Sequence, residues 1–296
     1  MTRSASKVKG LFTALLTPFD DNGNVDADRL AKLVRFQVSK GTEGIFPCGS
    51  TGLGPMLSLE ERKTVAETVI ESCRRKVPVV VQVGAPDTPS TVELARHAAG
   101  AGAYAVATLT PYYYKPGERA VAKHFEAVAD AVDVPVLAYN IPQFTGNSLQ
   151  AKAVADLAKA GTLSGIKDSS RDFLHLLDLI DAVPDAFAVM NGTEEYGLFA
   201  INSGADGLVS GGANALPELF KSMLAADRRG DHAAALSAQR QVQAFKDLVK
   251  QGQISAYYEI LRERGVDCGL PRRPLLPLEK TEGKRVIDGL RGLDLI

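Results

Sequence analysis

Short apolar runs alternate with longer amphipathic stretches along this chain as far as Ser210, and that alternation predicts its elements. Runs at 11–16, 44–48, 77–83, 105–108, 134–140, 163–167, 187–191 and 207–210 have the length of strands. They are nearly continuously apolar, the pattern of strands whose sheet is covered on both faces. The stretches between them carry helical spacing. In 26–40, Leu30, Leu33, Val34 and Val38 fall on one face, as a helix packed on a sheet requires. Ser58 with Glu61 and Ser90 with Glu93 stand at capping-box spacing and predict helix starts. Eight strand–helix repeats predict a (β/α)8 TIM barrel over about 210–230 residues, with a doubly wound sheet as the alternative.

Beyond Ser210 the spacing predicts helices at 216–226, 232–250 and 254–264, then one at 281–290 after the Pro-rich stretch 271–277. This is more than the single helix that completes a barrel. The expected organisation is a barrel over 1–225 and a C-terminal helical segment over 226–296, packed together as one unit.

Composition narrows the function classes. A net charge of −1 over 296 residues favours neither nucleic acid nor an acidic surface. The longest apolar stretches, such as 77–83, are too short to cross a bilayer, and the charged N-terminus, Met1 to Lys7, is followed by no signal-type apolar run. A cytoplasmic protein is expected. Cys48, Cys73 and Cys268 are odd in number and widely separated, which fits reduced thiols. His97, His124, His175 and His232 lack metal-ligand spacing, so no metal is expected.

In one parallel barrel, residues at the C-terminal ends of the strands share the rim where such barrels do chemistry. Two side chains there draw attention: Lys167, ending the sixth run, and Tyr139, near the end of the fifth. An amine and a phenol on one rim suggest imine chemistry. The amine is nucleophilic only when neutral, and free lysine titrates near 10.4. A catalytic one must therefore be desolvated or set near other positive charge to reach about 7–8, at a cost of about 4 kcal/mol. Asp168 should point away from Lys167, since strand side chains alternate. Gly49-Ser50-Thr51-Gly52-Leu53-Gly54, after the second run, offers two hydroxyls beside exposed amides, an anion seat suited to a carboxylate. The same composition would serve an ordinary turn. Of Tyr112, Tyr113 and Tyr114, at least one should reach a pocket or an interface, because three consecutive residues cannot face one core.

These motifs together resemble the dihydrodipicolinate synthase and N-acetylneuraminate lyase superfamily of pyruvate-dependent lysine aldolases. The likeness runs from Leu15-Leu16-Thr17-Pro18-Phe19 through the Gly-Ser-Thr-Gly loop, Thr110-Pro111-Tyr112-Tyr113, Tyr139-Asn140-Ile141-Pro142 and Gly165-Ile166-Lys167-Asp168 to Pro271-Arg272-Arg273-Pro274. The resemblance implies a (β/α)8 barrel, a homotetramer built from dimers, a small-molecule 2-oxo acid substrate, and no metal or organic cofactor. It makes Lys167 the imine-forming lysine and Tyr139 the proton-shuttling phenol. Ser50 and Thr51 become the pair that holds the substrate carboxylate and relays protons. Tyr113 resembles the tyrosine lent across the dimer interface, and Gly192 and Val209 are carried over as pocket residues.

Synthases of this superfamily usually place an arginine where this chain has Phe144, and usually a glutamate at the position of Leu53. An uncharged aromatic ring supplies no bidentate donor to an aldehyde's carboxylate. The continuation Gly52-Leu53-Gly54-Pro55, the triple tyrosine and the run Gly265-Val266-Asp267-Cys268-Gly269-Leu270-Pro271-Arg272 are similar to the 2-keto-3-deoxygluconate aldolases. In archaeal members an arginine after the tyrosines helps bind a phosphorylated substrate, whereas Lys115 and Pro116 stand here. The expected activity is a carbon–carbon lyase cleaving a 2-keto-3-deoxy sugar acid to pyruvate and an aldehyde. The alternatives are a condensing or dehydrating member, including dihydrodipicolinate synthase, and a catalytically weak 2-oxo-acid-binding regulator.

Overall fold

The computed structural model describes residues 7–296; the N-terminal reading at 1–6 lies outside them. All eight apolar runs are parallel strands: β1 Gly10–Ala14, β2 Gly44–Phe46, β3 Val80–Gln82, β4 Ala105–Leu109, β5 Val136–Asn140, β6 Gly165–Asp168, β7 Ala188–Asn191 and β8 Gly207–Ser210. They are ordered β2-β1-β8-β7-β6-β5-β4-β3. An Ile45–Val79 bridge joins the two ends, supported by the Ile45 amide on the Pro78 carbonyl at 3.0 Å and the Gln82 amide on the Pro47 carbonyl at 3.2 Å. The sheet is a TIM barrel, and the doubly wound alternative falls.

Around it run α1 Ala27–Lys40, α2 Leu59–Cys73, α3 Thr88–Gly100, α4 Glu118–Asp130, α5 Pro142–Thr145, α6 Ala151–Lys159, α7 Phe173–Ala182, α8 Gly197–Asn202 and α9 Pro217–Arg228. Helix α1 starts on the Asp26 carboxylate, which accepts from the Arg29 amide, and buries Leu30, Leu33, Val34 and Gln37 against the barrel. The Ser58–Glu61 box caps α2 reciprocally. The expected start at Ser90 is corrected: α3 begins one turn earlier, because Asp87 accepts from the Ser90 amide at 2.8 Å. Pro89 occupies the first turn, where a missing donor costs nothing.

The C-terminal segment is α10 His232–Leu248, α11 Gln253–Glu263 and α12 Lys280–Gly292. Position 225/226 lies inside α9, so the turn that separates barrel from extension is at 229–231. Among the described residues, no helix is long and apolar enough to cross a membrane.

Strand alternation splits the interior into two cores. Inside the barrel pack Phe12, Ala14, Phe46, Leu137, Tyr139, Met190 and Val209; Val136, Ala138, Ile166, Val189 and Leu208 face outward into the helix layer. Both faces are buried, which is why the runs read as continuously apolar. A glycine makes the floor possible, since a Cβ on Gly44 would stand 2.2 Å from the Phe12 ring. Emptying that floor by Phe12→Ala should cost about 3–5 kcal/mol.

Candidate active site

Tyr139 and Lys167 are register partners across β5 and β6, and both point into the barrel. Lys167 is 4% exposed. Its Nζ lies 4.0 Å from the centre of the Tyr139 ring and 4.3 Å from that of Phe46; the two rings meet edge to face at 5.7 Å. Among the described residues no hydrogen-bond acceptor or carboxylate pairs with this amine. The side chain is buried, and its nitrogen opens on a cavity at the strand ends.

The next rung is polar and faces outward. Asn140 partners Asp168 in register, its Nδ2 donates to the Asp168 carboxylate at 2.7 Å, and Ser170 Oγ donates to the other oxygen at 2.7 Å. Asp168 thus turns away from Lys167, as alternation requires. Burial pushes its carboxyl above the ordinary range, against the hydrogen bonds from Ser170 and Asn140. This outer rung fixes the strand ends that carry the amine and the phenol.

The loop after β2 brings Ser50 to within 3.3 Å of the Tyr139 hydroxyl, Oγ to Oη. Its shape is held by Thr17 Oγ1 donating to the Gly52 carbonyl at 2.6 Å and by the Gly54 amide on the Gly49 carbonyl at 3.0 Å. Any Cβ at Gly54 would lie 1.9 Å from the Cys48 carbonyl oxygen, so glycine is required there. The amides of Ser50 and Thr51 donate to no protein acceptor among the described residues. With their hydroxyls these amides are donors of the kind that an anion seat requires.

Lys167, Tyr139, Ser50, Thr51, Gly192, Val209 and Phe144 all line one cavity of about 190 Å³ at the C-terminal end of the barrel. Gly192 lies so close to Ser169 that a Cβ would stand 2.0 Å from its Oγ. Phe144, on the single turn α5, is 70% exposed and forms a lip. Tyr113 does not line the cavity: it is 88% exposed and stacks edge-on against Tyr114 at 5.2 Å. Tyr112 packs against the inner core, so the three tyrosines do not share one face.

Sequence reasoning missed the far half of the cavity, where Arg171, Glu194, Glu195, Lys246 and Tyr257 also line the wall. Glu194 is buried, accepts from Ser210 Oγ at 2.7 Å and the Gly212 amide at 2.6 Å, and pairs with Lys246 of α10 at 2.7 Å. Burial pushes the Glu194 carboxyl up, but the Lys246 charge and these donors hold it below the usual carboxylate range on balance. Glu194 follows Gly192 at a strand end, so the rim rule that singled out Lys167 reaches it. Lys246 sits on a helix outside the barrel and carried no sequence signal. Among the described residues, no group of three or more His, Cys, Asp or Glu is placed to hold a metal ion.

This rim belongs to a recognisable family, because residues 7–291 match the model of the Dihydrodipicolinate synthetase family. The chain is a member of that family. Its members are lyases and synthases acting on small molecules. It is 37% identical to an uncharacterised DapA-like lyase of Halobacterium salinarum over 97% of this chain and 94% of that one. It is 33% identical to the 4-hydroxy-tetrahydrodipicolinate synthase of Chlorobium limicola, over 99% of this chain and 100% of that one. Among solved structures it resembles the KD(P)GA of T. tenax at a TM-score of 0.90 and 31% identity, over 96% of this chain and 99% of that one.

Proposed function

We propose that the protein is a Schiff-base-forming lyase that cleaves a 2-keto-3-deoxy sugar acid to pyruvate and an aldehyde. The observation that carries this reading is the buried, unpaired Lys167 amine, held beside Tyr139 by strand register, with the Tyr139 hydroxyl joined to Ser50. The substrate carboxylate takes the Ser50 and Thr51 amides and hydroxyls. The Lys167 nitrogen attacks C2, and loss of water leaves a protonated imine. Tyr139 Oη, coupled to Ser50, takes the C4 hydroxyl proton. The C3–C4 bonding pair then moves into the imine, leaving an enamine and a free aldehyde. Protonation at C3 and hydrolysis release pyruvate and restore the amine. The Phe46 and Tyr139 ring faces favour the cationic imine, an interaction worth about 1–2 kcal/mol in a desolvated site.

The likeness to KD(P)GA supports cleavage. A second reading, condensation of the same enamine with an aldehyde, is supported by identity to the Chlorobium limicola synthase. The homotetramer implied by the resemblance fits the exposed Tyr113, which reaches out from its own chain. Borohydride reduction with pyruvate or 2-keto-3-deoxygluconate, followed by peptide mass spectrometry, tests the imine. An adduct on Lys167 with both ligands, with pyruvate released from the sugar acid, is expected. An adduct without release would favour condensation, and no adduct on Lys167 would overturn both.

A further inference from the structure

Arg171 lies in the loop between β6 and α7, on the wall of the same cavity as Lys167, and its backbone is left-handed at φ 64°. A bulky side chain in that region is strained, and such strain persists where the surroundings impose it. Left-handed residues are ordinary where a helix ends, as at Arg74, the C-cap of α2. Arg171 instead stands ahead of a helix. Both neighbours pin it: Ser170 Oγ binds Asp168 at 2.7 Å and accepts from the Asp172 amide at 3.2 Å, and Asp172 caps α7 through the His175 amide at 3.1 Å. Glycine would take this conformation without strain. An arginine gains nothing here except its side chain.

That side chain has no protein partner. Among the described residues the Arg171 guanidinium makes no hydrogen bond or ion pair, including with Glu195 in the same cavity. Of the other charges of the far half, Glu194 is paired with Lys246, and among the described residues Glu195 is the one carboxylate left beside Arg171. The Ser50–Thr51 seat is occupied by the substrate's first carboxylate in the mechanism above. Arg171 is thus an unpaired fork of donors at the mouth, on the loop after β6 and next to the β5 loop that carries the neutral lip at Phe144. A planar guanidinium matches a carboxylate bidentately.

We propose that Arg171 is a specificity-determining residue that binds a second carboxylate, so that the substrate is a 2-oxo acid whose far end is also anionic, as in a sugar diacid. This rests on the Lys167 imine reading and deepens it. It also holds in either reaction direction, because the anionic end belongs to the aldehyde fragment.

Imine trapping tests it without stereochemistry. The half-saturating concentration for borohydride trapping on Lys167 would be measured with pyruvate, 2-oxoadipate and 2-oxohexanoate, the last two being equal in length and differing only at the far end. The wild-type protein should trap 2-oxoadipate at a concentration at least about tenfold lower than 2-oxohexanoate. Arg171→Gly should reduce that advantage to within twofold, and Arg171→Lys should restore part of it. Pyruvate trapped on Lys167 with no advantage for the diacid, or an advantage unchanged in Arg171→Gly, overturns the proposal and leaves the imine reading standing. Failure to trap pyruvate at all overturns the imine reading, and this inference with it.

Discussion

The two ends of the cavity are built differently. At the proposed reacting end, Lys167 and Tyr139 ride on adjacent strands whose register is backed by the buried Asn140–Asp168 rung, and the Ser50 loop is tied down through Thr17. At the far end, Phe144 sits on one exposed helical turn, Arg171 on a strained loop, and Glu194 leans on a lysine from outside the barrel. Bond making needs placement to a fraction of an ångström, which strands supply. Choice among substrates can be revised on loops without disturbing that placement. The difference explains how one family holds both lyases and synthases on one scaffold.

Removing the amine is the largest break. Lys167→Met should abolish trapping and lower turnover by about 10⁴-fold or more. It should leave stability within about 1.5 kcal/mol of wild type in urea titrations, because Met fills nearly the same volume beside Phe46 and Tyr139. Trapping on another lysine would end the assignment of the reacting end. Tyr139→Phe comes next. It keeps the ring against Lys167 and Phe46 but removes the hydroxyl, so cleavage should fall about 10²–10⁴-fold, while pyruvate still traps on Lys167. Unchanged cleavage would remove Tyr139 from proton transfer.

The reacting end was legible in the sequence because its residues stand where a period-2 pattern meets a strand's C-terminal end. All eight strands were readable for the same reason: a strand covered on both faces leaves an unbroken apolar run. The proposed anion seat stands in the sequence as a glycine–hydroxyl cluster, although its free amides are visible only in three dimensions. The far end was not. Lys246 reaches Glu194 across 52 positions of chain, which no local spacing records. Arg171 looks like any polar loop residue until its φ is known. The misread start of α3 is a competition between two good caps, Asp87 and Ser90, decided by the proline that follows Asp87.

The Glu194–Lys246 pair sharpens the comparison by testing whether the far end carries stability as well as selectivity. Removing one partner strands a buried charge, so Glu194→Ala should destabilise by about 3–5 kcal/mol, whereas Glu194→Gln with Lys246→Met together should cost far less. The pH dependence has a fixed sign. The folded Glu194 carboxyl titrates below its ordinary value of 4.5, so its contribution is present above that pH and is lost as pH falls through the depressed folded value. Urea titrations from pH 6 to pH 3 should show this acid-labile component in the wild-type protein and not in the double variant. Equal acid slopes would mean that the pair is screened by solvent.

The smallest effect is the most diagnostic, because it opposes function to stability at one residue. A left-handed non-glycine residue costs about 1–2 kcal/mol, and glycine gives back about 0.5–1 kcal/mol through the freedom it adds to the unfolded chain. Arg171→Gly should therefore be more stable than wild type by a few tenths to about 1 kcal/mol, even as it loses the diacid preference. A side chain kept for packing would give the reverse, since its removal would expose or empty something. Among the described residues Arg171 has no hydrogen bond or ion pair to lose. Denaturation of Arg171→Gly beside wild type thus separates an arginine held under strain for its ligand from one that merely fills a loop, and a loss of stability would place it with the second.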